Sequence, residues 1–175
     1  VGISQYDYSK RAYTSGDGLT LNGQAFNHTF HGSRTTVTTL TNSIVDEFSG
    51  SGANALFSAH CDSKNKNDVV LQNVRFTNIS SSAKFLFNKY FRNLTIDGLY
   101  YANNNTSMFG SPASGSSFCG SADTSTALYD QNVEIKNSVF YKNNAKYIIS
   151  LGNSAAGEGY TKLNANIHDN FFYDA

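Results

Sequence analysis

Six segments of the chain share one pattern of apolar and polar positions. In "VEIKNSVF" (133–140), Val133 and Ile135 alternate with charged residues, which is typical of a strand with one buried face. The next inward position holds Asn137 instead of an apolar residue. The other segments with this pattern are 19–26, 38–45, 69–76, 94–101 and 165–172. The pattern therefore predicts a repeat built from short strands.

The fifth position of each segment forms a column of glycine, asparagine and aspartate. Its members are Gly23, Asn42, Asn73, Gly98, Asn137 and Asp169. These residue types tolerate a left-handed backbone best, so the column predicts a tight turn with a ladder of stacked asparagine side chains. Three positions later stand Phe26, Val45, Phe76, Tyr101, Phe140 and Phe172. This second column predicts an internal stack of aromatic rings.

A second set of short apolar segments lies between the first ones, at 55–59, 85–89, 107–111 and 147–151. Three short strands in repeats of variable length predict an all-β, right-handed, single-stranded parallel β-helix of about six coils, with an asparagine/glycine ladder. A β-sandwich would not predict the same residue type at the same phase in successive units. We expect 1–18 to form an N-terminal cap or partial coil, and 19–175 to form the β-helix.

Composition argues against nucleic acid and a membrane span as partners of this chain. The 175 residues carry a formal net charge of zero, with 15% charged residues, so nothing points to nucleic acid. No apolar run approaches the roughly 18 residues of a membrane span. The apolar run at Phe171, Phe172 and Tyr173 has no polar cap after it. We therefore expect a fragment of a longer β-helix, or a last coil that stacks end to end on another subunit.

Three stretches resemble coils of pectate lyases: "NVRF" (73–76), 133–154 and 166–175. "SVFYKNNA" (138–145) is also similar to the S-x-F-x-x-N-x-A element of polymorphic outer-membrane adhesins. The first resemblance implies Ca²⁺ held by several carboxylates, with an Arg or Lys base. Asp97 lies where that family often has an acidic residue, but no further carboxylate follows closely. No catalytic residue can be carried over, and Ca²⁺ is expected only for a lyase.

Candidate binding residues follow the middle strand, where acidic, basic and aromatic groups of neighbouring coils would converge as in a sugar groove. They are His60, Asp62, Lys89, Tyr90 and Arg92, and Tyr141 is expected to add an exposed aromatic edge. Two rows face outward and are interpreted first as solvated surface: Asn22, Thr41, Gln72, Asp97, Lys136 and His168, then Thr20, Thr39, Val70, Thr95, Glu134 and Asn166. These polar rows also suit hydroxyl-rich sugars.

Cysteine and metal chemistry contribute little. His60 and Cys61 are adjacent, and adjacent residues on a strand point to opposite faces, which disfavours a catalytic dyad. Cys61 and Cys119 are candidates for a disulfide, provided that the loop at 110–126 folds back. His28 and His31 have no nearby carboxylate or cysteine to complete a metal site. We expect no metal site and no cofactor.

These observations favour a secreted or surface-exposed module that binds glycans or a host or cell surface without catalysis. By analogy of fold, its place is extracellular, on a cell surface or on a virion surface. Two alternatives remain open. One is a pectate-lyase-like polysaccharide lyase or another carbohydrate-active enzyme, and the other is a structural spacer of a stalk or spike.

Overall fold

The protein is known from a computed structural model, which describes residues 3–7, 12–23, 30–32, 37–50, 55–59, 68–81, 85–87, 92–106, 108, 129–145, 148–149 and 160–174. These residues are all β and contain no helix. The strands are β1 (Ile3–Asp7), β2 (Ala12–Asp17), β3 (Thr20–Asn22), β4 (Phe30–Gly32), β5 (Val37–Thr41), β6 (Ile44–Asp46), β7 (Ser49–Gly50), β8 (Ala55–Ala59), β9 (Asp68–Gln72), β10 (Arg75–Thr77), β11 (Ser80–Ser81), β12 (Phe85–Phe87), β13 (Asn93–Asp97), β14 (Tyr100–Ala102), β15 (Tyr129–Lys136), β16 (Val139–Tyr141), β17 (Tyr160–His168) and β18 (Phe171–Tyr173).

Two parallel sheets carry the fold. The longer sheet has the strand order β12-β8-β4-β2-β5-β9-β13-β15-β17, and β1 pairs with β2 in the antiparallel sense. The second sheet has the order β18-β16-β14-β10-β6-β3, and β11 pairs with β7 in a small third sheet. Six strands of the longer sheet are each followed along the chain by a short strand of the second sheet. The pairs are β2–β3, β5–β6, β9–β10, β13–β14, β15–β16 and β17–β18. We call each such pair a layer. The in-register stacking of layers is compatible with a solenoid.

Every layer turns twice through a left-handed residue, five residues apart. The first turn follows the longer-sheet strand and uses Gly18, Asn42, Asn73, Gly98, Asn137 and Asp169. The second turn follows the short strand and uses Gly23, Glu47, Asn78, Asn103, Lys142 and Asp174. All twelve have φ between 48° and 72°, a region that glycine enters freely and that asparagine and aspartate tolerate.

The first repeat needs a correction. The sequence alignment placed Gly23 in the first turn column, but the sheet register pairs Gly16 with Leu40 and Leu21 with Val45. Gly23 therefore occupies the second turn column, and Gly18 takes the position assigned to it. In the first layer both turn residues are glycine, so a shift of five residues leaves the pattern intact. The same register puts Leu21 in the predicted aromatic column instead of Phe26, which lies outside the described residues.

The N-terminal segment already contributes to the longer sheet. Strand β2 lies within residues 1–18, the segment predicted to be a cap or partial coil. It pairs in parallel with β5, with Asp17 opposite Thr41. Strand β1 also pairs with β2, in the antiparallel sense.

The core lies between the two sheets. Inward residues of the longer sheet include Leu40, Leu71, Ile96 and Ile135, and all are buried. Opposite them, the predicted aromatic column is confirmed from Phe76 onward. Ring centroids are 6.5 Å apart for Phe76–Tyr101, 6.1 Å for Tyr101–Phe140 and 4.6 Å for Phe140–Phe172. Rings in these arrangements add packing energy beyond the area that they bury.

The asparagines occupy two different ladders. Asn137 is exposed, so its amide does not enter the core. Its Nδ2 donates to Asp97 Oδ1 at 2.8 Å, as Asn42 Nδ2 does to Asp17 Oδ1 at 2.9 Å. Within the described part of the chain, the buried asparagines are Asn104 and Asn143, each directly after a second-turn residue. The left-handed turn thus carries its own side chain outward and leaves the next position to the interior.

Candidate ligand-binding site

The binding residues predicted from the sequence are only partly within the described chain. His60, Asp62, Lys89 and Tyr90 lie outside the described residues, as do the disulfide candidates Cys61 and Cys119 and the histidine His28. Arg92 and Tyr141 are described, and they lie in different parts of the fold. It stays a prediction that the five candidates from His60 to Arg92 converge at one groove.

Arg92 and Tyr141 each have a defined partner. Arg92 makes a two-pronged contact with Asp68, with Nη2 at 2.6 Å from Oδ2 and Nε at 3.0 Å from Oδ1. It lies just before β13 in the longer sheet. Tyr141 lies in the second sheet and stacks on Tyr173, with ring centroids 5.5 Å apart and planes 10° from parallel. Lys142 Nζ lies 5.2 Å from the centroid of the Tyr141 ring.

A groove of about 610 Å³ runs across three successive strands of the longer sheet, β13, β15 and β17. Its lining consists of Asn93, Leu94, Thr95, Asn132, Val133, Glu134, Asn164, Ala165 and Asn166. In β13 and β15 the residues between the polar ones, Leu94 and Val133, are buried toward the core. The polar side chains therefore project from the outer face, because successive residues of a strand point to opposite sides.

An amide ladder forms one side of this groove. Asn164 Nδ2 donates to Asn132 Oδ1 at 2.9 Å, and Asn132 Nδ2 donates to Asn93 Oδ1 at 2.8 Å. Asn93 Nδ2 in turn donates to Asp68 Oδ1 at 2.9 Å, where Arg92 also binds. Each link joins residues that stand opposite each other in the sheet register. The ladder holds three amides in fixed orientation before any ligand arrives.

Sequence reasoning missed this ladder, although a signal for it exists. Asp68, Asn93, Asn132 and Asn164 each stand five residues before a first-turn residue. The repeated segments begin four residues before the turn, so this column lies just outside them. The second row of the groove, formed by Thr95, Glu134 and Asn166, had been named as part of an outward row. In the structure this row lies beside the ladder and forms one wall of the groove.

A cluster of charges borders the groove. Oε2 of Glu134 lies 3.1 Å from Nζ of Lys136, and Oε1 of Glu134 lies 3.7 Å from Nε2 of His168. The other ring nitrogen of His168, Nδ1, lies 2.7 Å from Asp169 Oδ2. The hydrogen bond with Asp169 is the main cause that raises the pKa of His168. Desolvation opposes this rise, and Glu134 adds smaller contributions to it. Two carboxylates stabilise the charged imidazolium, which can donate from both nitrogens.

The described residues contain no group of three or more His, Cys, Asp or Glu side chains arranged to hold a metal ion. In the same part of the chain, no helix is long and apolar enough to cross a membrane. The arrangement offers hydrogen bonding by amides and hydroxyls, with a bordering set of paired charges.

Comparison with known proteins finds no relative. No protein-family model, no curated protein and no solved structure matches this chain. The parallel stacking of strands fits the predicted solenoid, while the resemblance to pectate lyases and to outer-membrane adhesins stays a hypothesis.

Proposed function

We propose that this chain forms a right-handed parallel β-helix of about six coils that binds a polysaccharide or cell-surface glycan along the outer face of its longer sheet, without catalysis. The observation that carries this proposal is the groove across β13, β15 and β17, with its row of three hydrogen-bonded amides. As expected for β-helix modules by analogy, the protein would act outside the cell or on a cell or virion surface.

The amide row suits sugar hydroxyls because its bonding capacity is only partly used. A carboxamide has two N–H donors and an oxygen with two lone pairs. In Asn93 and Asn132, the ladder uses one donor and one lone pair of each amide. One donor and one acceptor per amide therefore remain for a ligand. A sugar hydroxyl both donates and accepts, so each amide can pair with one or two hydroxyls.

The spacing of the amides suits a chain molecule. Neighbouring strands in a sheet lie about 4.8 Å apart. This distance is comparable to the length of one sugar in an extended polysaccharide. A polysaccharide lying across the strands, along the stacking direction, would meet a new amide with each successive sugar. Since the ladder holds the amides in place, little side-chain entropy is lost on binding.

One other function has a specific observation in its favour. The cluster of Lys136, Glu134 and His168 beside the groove favours a polysaccharide lyase, in which a cation neutralises the substrate carboxylate and a base removes a proton. A structural spacer of a stalk or spike stays an alternative that the sequence leaves open.

Glycan-array binding of the purified chain, with and without Ca²⁺, tests the proposal together with product release at 235 nm. We expect saturable binding without products. Asn132→Ala should weaken it about tenfold, the effect of losing about 1.4 kcal/mol of hydrogen bonding. Asn144→Ala is the matched control, because Asn144 is also exposed and lies away from the groove.

Four outcomes would contradict the proposal. Absence of binding to every glycan would remove it, and so would binding that Asn132→Ala leaves unchanged in a variant that still folds by circular dichroism. Release of unsaturated products would favour the lyase. Concentration-dependent assembly without any ligand would favour the spacer.

A further inference from the structure

We infer that the groove selects neutral polysaccharides over chains that contain uronic acids. This inference rests on the proposed function and adds the chemical class of the ligand. It departs from the acidic polysaccharide that the resemblance to pectate lyases implies. It follows from the charges of the groove and from the partners of the nearby cations.

The groove has one ionisable lining residue. Glu134 is a carboxylate, and every other lining side chain is an amide, a hydroxyl or an apolar group. The ladder also ends on a carboxylate, that of Asp68. A uronic acid would bring further negative charge beside Glu134, and like charges at close range are unfavourable.

The cations around the groove are already paired. Lys136 Nζ lies 3.1 Å from Glu134, and the imidazole of His168 lies between Asp169 and Glu134. Arg92 is bound to Asp68 through both oxygens of the carboxylate. A uronate could recruit one of these cations only by separating it from its present carboxylate. The net gain would be small, because one ion pair replaces another.

A Ca²⁺ bridge would have to draw on Glu134, the one carboxylate that lines the groove. A Ca²⁺ ion that bridges the protein and a uronate needs several oxygen ligands from the protein. Among the described residues, no group of three acidic or histidine side chains is arranged for a metal. The hydroxyls of a neutral sugar, in contrast, match the spare donors and acceptors of the amide row and meet no charge penalty.

Pairs of polymers that share a backbone and differ in charge test the inference. Polygalacturonate and its fully methyl-esterified form are one pair, and carboxymethyl cellulose and hydroxyethyl cellulose are another. Affinity gel electrophoresis at low ionic strength should show retardation by at least one neutral polymer, with an apparent Kd about tenfold lower than for its charged counterpart. The difference should shrink as salt is added, because exposed charges are screened.

Glu134→Gln tests the residue assigned to this selectivity. The substitution removes the negative charge and frees Lys136 from its partner. Binding of the charged polymer should therefore strengthen by about threefold to tenfold relative to the neutral polymer, so the ratio of their apparent Kd values should fall. Glu47→Gln is the matched control, since it removes the same charge from an exposed second-turn residue outside the groove.

The results separate this inference from the function beneath it. If the charged polymer binds as well as the neutral one or better, the selectivity is wrong and the glycan-binding function stands. If Glu134→Gln leaves the discrimination unchanged, Glu134 does not select the ligand and the inference is overturned. If no polymer binds, the proposed function itself fails.

Discussion

The backbone N–H of Asn104 donates to Oδ1 of Asn143 in the next layer, 3.1 Å away, and both residues are buried. The side chain of Asn104 does the same for the layer below, accepting from Ile79 N–H at 2.8 Å. Its Nδ2 donates to the carbonyl of Phe76 at 3.1 Å. The second turn thus leaves backbone groups that point inward, and a buried asparagine in the following layer satisfies them.

Asn104→Ala should strongly destabilise the fold. It removes the Nδ2 bond to the Phe76 carbonyl and leaves the Ile79 N–H without this acceptor, and a buried unpaired group costs about 1–3 kcal/mol. We expect a loss of roughly 2–4 kcal/mol in the free energy of unfolding, measured by urea denaturation. Asn144→Ala, at an exposed position nearby, should change stability by less than about 0.5 kcal/mol. Equal effects of the two substitutions would contradict the role assigned to Asn104.

Glu47 is a strained residue whose replacement should stabilise the protein. Its φ is 55°, a left-handed conformation that costs most side chains about 1–2 kcal/mol and that asparagine tolerates better. We expect Glu47→Asn to raise the unfolding free energy by about 0.5–1 kcal/mol. Asn103→Ala, at φ 56° in the same column, should lower it by a similar amount. Thermal unfolding of both variants measures the two opposite shifts. A fall in stability for Glu47→Asn would contradict the account of the second turn.

Acid should weaken the contact between Asp46 and the next layer. Asp46 Oδ1 accepts from Thr77 Oγ1 at 2.6 Å and from Asn78 Nδ2 at 2.8 Å, and these bonds lower the pKa of Asp46. A lowered pKa means that the stabilisation is present above the unfolded value, near 3.8, and is lost as pH falls through the folded value. Thr77→Val removes the larger cause and should reduce the loss of stability between pH 5 and pH 2. Thr39→Val, on the outer face of β5, should leave it unchanged.

His168 should titrate above the usual histidine range. Because its pKa is raised, its ion pairs stabilise the fold fully below pH 6.5 and are lost as pH rises through the folded-state pKa. An NMR titration of the ring resonances should show this high midpoint, with the signal assigned by its absence in His168→Gln. Asp169→Asn removes the main cause and should bring the midpoint back toward 6.5. A midpoint at or below 6.5 in the unaltered protein would contradict the Asp169–His168 contact.

Much of the local structure was predictable because the strand period and the turn chemistry are local. The alternation around Val133 and Ile135 predicted a strand with one buried face. Strand β15 is that strand, and both residues are buried in it. The aromatic column was predictable because its residues stand three positions after the first turn in each layer, which is a local spacing. The first layer was not, since two turns with the same residue preferences lie five residues apart. The pairing of Gly16 with Leu40 and that of Leu21 with Val45 distinguish them.

The site shows the same division. Residues such as Glu134 and Asn166 could be placed on the outer face from their phase in the strand. That Asn93, Asn132 and Asn164 form a hydrogen-bonded ladder depends on residues about 30 to 40 positions apart along the chain being opposite each other in a parallel sheet. The variable length of the connections between layers hides that register from the sequence.

By itself, the sequence determined which residues face the core, which form turns, and that the strands repeat, because these properties depend on side-chain period and on backbone preferences within a few residues. The tertiary structure decided which turn is which, which asparagines are buried, and which polar residues share a groove. Those outcomes depend on pairing between strands that are far apart in the sequence. Paired strands lie about 4.8 Å apart, but the number of residues between them along the chain does not reveal which strands pair.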